Sequence, residues 1–531
     1  MVKEGYLLHH ASNALDSSSA AAMAGSVTPR ERPSPVRPQS GFARARYVRA
    51  CWLLAFGGVF VGAGLTLAEA PLQGAGIAIL FMAPLMLSLD AGLMPELWMG
   101  PCSVYYLYHL LAYGVGPVGQ VLLAGQLNVV GQVNVDQKYF VPAQWGAVLG
   151  LFSFAACYPP VFRFVSRRVA AGRKPPQGAW AVDINTDGYG VLLAVVGCVP
   201  TVLTYRFGIS RLIDYNPVSI ERATSAAAFQ FTIYAGLFFL ARSAGRRGGR
   251  WLALWLSALA ALSAYTVLEG SRLAILQALL VSVGGFSLGG VNRRKILLWG
   301  AIILLACVPI HSMVRLYRDS FRGGATRLSD RAGEFRASSE EFLSSNRTVG
   351  DVLLALLERL PPESAAAVFE QTPRPMPYAG LRGVGDVIYV WVPQVIWPQR
   401  PDLGDHNELA IEYGVQRRGG TGAVFPAVGD GYRRGGWLGI ALLYAFVASC
   451  LGLVNGISWT GRYRPELLAL LPVVMVSSFE TGMVTLVSAC YTMLWTFPKY
   501  LAFFWFLRVI SGLILRKRAH HAAMGQRSRR P

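Results

Sequence analysis

Apolar runs long enough to cross a lipid bilayer recur along most of this chain. The hydrocarbon core of a bilayer is ~30 Å thick, so one crossing helix needs roughly 20 mainly apolar residues. Hydrophobic residues make up 53% of the chain and charged residues only 15%. The sequence therefore predicts an all-α polytopic membrane protein with about twelve transmembrane helices. The candidate spans lie near residues 48–68, 72–90, 99–124, 142–163, 187–206, 225–242, 251–268, 273–290, 296–313, 437–457, 465–480 and 484–514.

Basic residues concentrate in alternate connections between these spans. The N-terminal "RARYVR", the connections "RFVSRRVAAGRKPP", "ARSAGRRGGR", "NRRK" and "GRYR", and the C-terminal "RKRAHHAAMGQRSRR" are all rich in arginine, whereas the turn "DAGLMPE" is the exception. By the positive-inside rule such connections face the cytoplasm, which predicts that both termini are cytoplasmic. The net charge of +20 then reflects topology, and no nucleic-acid partner is expected.

This topology divides the chain into five segments. Residues 1–46, rich in Ser, Ala, Pro and Arg, read as a disordered cytoplasmic tail. Residues 47–313 hold nine transmembrane helices, and residues 314–436 form one large loop with short helices on the far side of the membrane. Residues 437–515 hold three more helices, and residues 516–531 form a basic cytoplasmic tail.

Motifs of metal, disulfide and soluble-enzyme chemistry are missing. The seven cysteines all lie in or beside apolar runs, and none forms a CxxC pair. The sequence has no Walker loop, no HExxH and no G-x-S-x-G, and its first outer loop "TLAEAPLQG" offers one acid, Glu69. We therefore expect no metal and no cofactor.

Arginines are unexpectedly frequent on the predicted outer side. Arg272, in "VLEGSRLAILQ", opens the eighth span, where a charge beside an apolar run is costly unless it is exposed, paired or functional. It could simply extend to the interface and pair with Glu269. Because a guanidinium fork matches phosphate oxygens, the surplus suggests an anionic ligand such as a lipid diphosphate. The other outer arginines are Arg206, Arg211 and Arg222 in one loop, and Arg382, Arg400, Arg433 and Arg434 in the large loop.

The large loop also holds candidate bases. His406, in "PDLGDHNELAIEYG", could as neutral imidazole remove a proton from a sugar hydroxyl. The alternative is a loop histidine that is hydrogen-bonded to Asp402 or Asp405 and has no chemical role. Glu408 and Asp430 are competing bases.

Two aromatic side chains of the same loop are candidates for sugar contacts. Trp397 and Tyr432 could stack on pyranose rings. They could also belong to the aromatic belt at the membrane interface.

Three segments in this order resemble the O-antigen polymerase (Wzy-type) or oligosaccharide repeat-unit polymerase family. They are "EGSR" at the mouth of a helix, "PQVIWPQRPD" in a long outer loop, and "AVFPAVGDGYRRGGWLGI" leading into the next helix. In that resemblance Arg272 corresponds to the Gly-Ser-Arg arginine and Arg400 to the basic residue of the Trp-Pro motif, where the family usually has lysine. Gly429, Gly431 and Gly436 correspond to its glycine-bearing stretch, and His406 has no certain counterpart.

The resemblance implies a metal-independent glycosyltransferase of the bacterial inner membrane. It would join oligosaccharide repeat units carried on undecaprenyl diphosphate, at the periplasmic face, into O-antigen, capsule or exopolysaccharide. Its partners would be the bilayer, the lipid-linked substrate, a flippase and a chain-length regulator. The alternatives are an O-antigen ligase or another transferase of lipid-linked sugars, and a polysaccharide or lipid transporter, which would be expected to show repeated halves.

A mechanism follows from the same residues. Arg272, with Arg206 or Arg211, would hold the donor diphosphate and neutralise the charge that develops on the leaving group. His406 or Glu408 would activate the acceptor hydroxyl for an inverting displacement. The remaining outer residues, Arg382, Trp397, Arg400, Tyr432 and Arg433, would bind substrate.

Overall fold

The computed structural model is helical throughout the part of the chain that it describes, with no strand among its elements. Contacts separate Met1–Arg46 from Tyr47–Pro531, and the second unit holds the helical bundle. The described residues are 41–97, 99–124, 137–171, 187–198, 217–268, 273–292, 294–296, 298, 300, 314, 317, 328–344, 350, 363–391, 409, 411–414, 426–481 and 485–527.

Helices cover the predicted spans wholly or in part, except the ninth span at 296–313, most of which lies outside the described residues. The first ten helices are α1 Gly41–Leu67, α2 Pro71–Phe81, α3 Ala83–Leu93, α4 Pro101–His109, α5 Gly116–Ala124, α6 Phe140–Ala171, α7 Asp187–Cys198, α8 Pro217–Arg247, α9 Arg250–Leu268 and α10 Leu273–Leu288. The others are α11 Leu328–Ser344, α12 Glu363–Gln371, α13 Ala427–Thr460, α14 Pro465–Leu468, α15 Leu470–Thr481, α16 Leu486–Tyr491 and α17 Phe497–Arg527.

Several of these helices are suited to a membrane. Among the described residues, four helical segments are long and apolar enough to cross one: Val48–Leu67, Pro71–Leu93, Phe140–Ala171 and Ala427–Thr460. Four shorter helices are also apolar: Asp187–Cys198, Arg250–Ala264, Ala274–Leu288 and Pro465–Phe479. The count of about twelve crossings stays a prediction.

Glycines let α6 and α13 approach each other closely along their length. A Cβ atom on Gly150 would lie 2.7 Å from ring carbons of Tyr444, and one on Gly452 would lie 3.0 Å from the carbonyl oxygen of Tyr158. Small residues spaced in this way allow membrane helices to pack backbone to backbone. Gly150 meets Tyr444, and eight residues further along both helices Tyr158 meets Gly452. The two helices therefore run parallel.

The end of the bundle at which α6 and α13 finish is rich in ion pairs, and we call it the basic end. Arg247 pairs with Asp187 at 2.9 Å, and Arg464 with Glu466 at 2.7 Å. Glu96, in the turn after α3, pairs with Arg462 at 3.5 Å and accepts a hydrogen bond on its carbonyl oxygen from the hydroxyl of Ser287 at 3.1 Å. The turn after α3, the end of α10 and the end of α13 therefore lie at one end of the bundle.

Short elements cover the opposite end of the bundle, which we call the site end. Helix α12 packs its alanines against Phe140 at the start of α6, together with Leu409 and Tyr413. The side-chain amide of Gln371 donates to the carbonyl oxygen of Tyr413 at 3.0 Å. Burial raises the pKa of Tyr413, whose hydroxyl lies 3.0 Å from that of Thr372. The predicted large loop thus contributes a packed layer over α6 and α13.

Candidate functional site

The glycine-bearing stretch before the tenth predicted span is helical. Helix α13 begins at Ala427, whereas the sequence placed the end of the large loop at residue 436. The helix is interrupted at Gly435 and Gly436, where Gly436 has φ +61° and ψ −146°. Beyond this kink the chain passes so close to the preceding turns that a Cβ on Gly439 would collide with the carbonyl oxygen of Gly431. Glycine is needed here for backbone conformation and for close approach.

The short helical segment before the kink carries a buried cluster of charges. Asp430, at 0% exposure, accepts hydrogen bonds on Oδ1 from Nη2 of Arg433 at 2.7 Å and from its Nε at 3.2 Å. Its Oδ2 accepts from Nε of Arg434 at 2.8 Å. The helical spacings of three and four residues place both arginines on the face of Asp430. The three residues are called the charge cluster below.

The charge cluster joins three segments that are distant in the sequence. Nη1 of Arg434 donates to the carbonyl oxygens of Gly380 at 2.8 Å and Arg382 at 3.0 Å. The backbone N–H of Leu486, the first residue of α16, donates to Oδ2 of Asp430 at 2.6 Å. The turn at 379–382, the kink and the start of α16 are therefore held together by one carboxylate and one guanidinium.

The charge cluster contains one positive charge more than its carboxylate can balance. The side chains of Arg433 and Arg434 are only 8% and 6% exposed. Nη2 of Arg434 is buried and has no hydrogen-bond partner among the described residues. A buried donor without a partner costs about 1–3 kcal/mol, and more when it is charged. An oxyanion at this point would satisfy the donor and neutralise the excess charge.

An aromatic group lies beside the charge cluster. Tyr432 stacks on Phe369 of α12 with ring centroids 3.8 Å apart, and Trp437 and Tyr378 approach it edge-on at 6.1 and 6.4 Å. Phe369 thus covers one face of the Tyr432 ring. Trp437 and Tyr378 are 44% and 48% exposed and present more ring surface.

A second polar contact fixes α13 deeper in the bundle. Nε2 of His109, at 0% exposure, lies 2.6 Å from the hydroxyl of Tyr444, and Nδ1 lies 2.9 Å from the carbonyl oxygen of Tyr105. This links α4 to α13 below the kink. The sequence offers no signal for the pairing, since the two partners are 335 positions apart.

The kink can be tested with two adjacent glycines. We expect Gly436→Ala to lower the free energy of unfolding by about 1–3 kcal/mol, because its φ and ψ are accessible almost only to glycine. A Cβ there would also lie 3.1 Å from the hydroxyl of Tyr378. Gly435→Ala is the control, because Gly435 has φ −169° and nothing within 4 Å of its added Cβ. Equal losses for the two variants in denaturant titrations in micelles would contradict this account.

Only some of the predicted site residues lie in the described part of the chain. Arg433 is in the charge cluster, Tyr432 is in the aromatic group, and Arg382 has an exposed side chain and contributes its carbonyl oxygen. Glu408 precedes Leu409, which packs against α12. The residues outside the described ranges are Arg206, Arg211, Arg272, Trp397, Arg400, His406 and Glu408.

Asp430 and Arg434 make contacts in the structure that the sequence does not predict. Asp430 was a candidate base, but both of its oxygens already accept hydrogen bonds, so its position favours a structural role. The D-x-x-R-R spacing within a helix was the signal available for the pairing. The backbone partners Gly380 and Leu486 gave no signal. Among the described residues, no group of three His, Cys, Asp or Glu side chains could hold a metal ion.

The fold and site define a class: a helical protein with membrane-compatible spans and a buried, positively charged cluster under a layer of short helices. No protein-family model, no curated protein and no solved structure matches the chain.

Proposed function

We propose that this chain is a membrane glycosyltransferase that polymerises oligosaccharide repeat units carried on undecaprenyl diphosphate. The observation that carries the proposal is the excess positive charge buried around Arg434, whose Nη2 has no partner among the described residues. It lies within the segment "AVFPAVGDGYRRGGWLGI", one of the three that resemble the polymerase family. A diphosphate ester offers the oxyanions that such a site requires.

The proposed topology has about twelve crossings of the bacterial inner membrane, with both termini cytoplasmic and the site end periplasmic. This topology requires that successive spans cross the membrane in opposite directions, and the packing of the helices supports that requirement. The fourth and tenth predicted spans correspond to α6 and α13, which run parallel, as two even-numbered spans must. The sixth and eighth predicted spans correspond to α8 and α10. Tyr234 donates a hydrogen bond to the carbonyl oxygen of Ala274, near the start of α10, and Arg242, further along α8, contacts Gly289, just after the end of α10. This pair is therefore parallel as well.

In the proposed reaction, arginines hold the donor diphosphate and neutralise charge on the leaving group. Arg433 and Arg434 would act together with Arg272 and with Arg206 or Arg211. His406 or Glu408 would deprotonate the acceptor hydroxyl. Support for a base from this segment comes from Leu409, the residue after Glu408, which packs in the layer next to the charge cluster.

Sugar contacts would come from the exposed rings of the aromatic group. Trp437 and Tyr378 offer apolar faces of the kind that complement a pyranose. Tyr432, a candidate for sugar contacts from the sequence, has one ring face stacked on Phe369. It would contact the sugar through its ring edge. Trp397, Arg382 and Arg400 would complete the acceptor side.

Deletion of the gene tests the reaction directly. We expect single repeat units to accumulate on the lipid carrier, because polymerisation is the step that is lost. Accumulation of full-length polymer on the carrier would instead identify the ligase. Arg272→Ala should fail to restore the polymer, whereas Arg250→Ala, an exposed arginine of the basic end, should restore it. Unchanged polymer length in the deletion strain, measured by gel electrophoresis of extracted glycolipid, would refute the proposal.

A further inference from the structure

The last turns of α6 extend beyond the hydrocarbon core of a membrane. The helix has 32 residues and is therefore about 48 Å long, while the core is only ~30 Å thick. If Phe140 marks the site-end boundary, roughly 20 residues reach the other boundary near Pro159. Arg163, Arg167 and Arg168 then lie at headgroup level and just beyond it.

These arginines share one face of α6 and line a groove of about 620 Å³. The spacing of three, four, seven and eight residues from Pro160 places the lining on one side of the helix. No acidic residue is among the lining. The groove is lined by Pro160, Arg163, Phe164, Arg167, Arg168 and Ala171.

Arg163, Arg167 and Arg168 have no ion pair with any described residue. Nearby, Arg247 pairs with Asp187 and Arg464 with Glu466. Arg163 and Arg167 lie four residues apart, a spacing at which like charges on a helix repel each other. A bound anion would remove that repulsion.

The composition of the groove suits a phospholipid headgroup, which combines glycerol carbons with a phosphate. Phe164 is 61% exposed, and the guanidinium of Arg168 lies 5.5 Å from its ring centroid. Arg163 precedes Phe164 in the helix and Arg167 and Arg168 follow it, so an apolar ring lies among three guanidinium groups. Arginine also matches phosphate oxygens with two parallel donors.

We propose that the groove lined by Arg163, Phe164, Arg167 and Arg168 binds the headgroup of an anionic glycerophospholipid. The phosphate lies among the guanidinium groups and the glycerol lies against Phe164. This site is distinct from the charge cluster, which lies at the opposite end of α6 and α13. Its existence does not depend on the glycosyltransferase proposal.

Native mass spectrometry of the purified full chain in detergent micelles tests the site. The probes are phosphatidylglycerol, phosphatidylcholine and inorganic phosphate. We expect the first bound phosphatidylglycerol to have a Kd well below that of phosphatidylcholine. The triple variant Arg163→Gln, Arg167→Gln, Arg168→Gln should weaken it by about fivefold for each arginine, on the order of 100-fold in total.

The matched control removes three exposed arginines outside the groove. Arg49→Gln, Arg250→Gln and Arg336→Gln together should change the Kd less than twofold, although the net charge falls equally. Replacing the groove arginines by lysine should retain most of the affinity. If the triple variant fails to fold, the three single glutamine variants give the same test. Each should raise the Kd for phosphatidylglycerol about fivefold.

Three results would overturn the lipid site. They are equal phosphatidylglycerol binding by the wild type and the glutamine variants, equal binding of the two lipids, and displacement of the lipid by an equal concentration of inorganic phosphate. The last result would make the groove a site for free anions.

Discussion

Replacement of Asp430 by Asn is expected to lower the free energy of unfolding by about 3–5 kcal/mol, the usual cost of removing one partner from a buried ion pair. The variant would leave Arg433 and Arg434 without a counter-charge at sites that are 8% and 6% exposed. The side-chain NH2 group of the asparagine is itself a hydrogen-bond donor. It would face the donors that now bind the carboxylate, including the N–H of Leu486. Denaturant titration in mixed micelles gives the measurement.

Two further variants separate the buried charge from ordinary loss of an ion pair. Glu340→Gln removes the acid of the exposed pair with Arg336, whose side chains are 65% and 82% exposed, and should cost no more than about 0.5 kcal/mol. Asp430→Asn combined with Arg434→Gln should be less destabilised than the sum of the single variants, by about 0.5–3 kcal/mol. Strict additivity, or a cost below about 1 kcal/mol for Asp430→Asn, would show that the cluster is not a coupled buried unit.

Replacement of Arg434 by Lys is expected to reduce the rate of polymerisation by about 100-fold, the loss seen when one donor to a developing oxyanion is removed. A lysine keeps the charge but has one nitrogen, which cannot reach Asp430 and the carbonyl oxygens of Gly380 and Arg382 together. It also lacks the donor that Nη2 offers to an anion. The measurement is the proposed extension of lipid-linked repeat units by the purified protein.

Arg374→Lys is the matched control for this variant. Arg374 is exposed and belongs to the same layer over the bundle, so its replacement should leave the rate within a factor of two. Both variants need comparable unfolding free energies before their rates are compared. If a folded Arg434→Lys variant polymerised at the normal rate, Arg434 would not be a residue of the proposed diphosphate site. Its role would then be to hold the 379–382 turn through hydrogen bonds.

The positions of the helices were predictable because one local property controls them. A run of roughly 20 apolar residues must be helical in a bilayer, since its backbone polar groups have no water to bind. Helices accordingly occur at or within the described parts of the predicted spans, such as α1 against 48–68 and α9 against 251–268. Hydrophobic periodicity could not predict that α13 begins as early as Ala427. The kink at Gly436 separates the first turns of this helix from the apolar run that marks the span.

The charge cluster was predictable only in part. The sequence predicts arginines on the outer side and contains a glycine-rich stretch. The spacing of Asp430, Arg433 and Arg434 is that of neighbours on one helix face. Nothing local indicated that Asp430 would be saturated by the N–H of Leu486, 56 positions away. These hydrogen bonds occupy both oxygens of a carboxylate that, from its position in the sequence alone, is also a candidate base.

Hydropathy and the distribution of arginine predict a helical membrane protein and its orientation, because both depend on how each segment partitions between lipid and water. Packing settled which charges meet. The parallel contact of α6 with α13 through Gly150 and Gly452, and the reversal at Gly436, bring Arg434 under the 379–382 turn. Those contacts join residues far apart in the chain, and their energies depend on distances of a few ångströms that composition and periodicity do not specify.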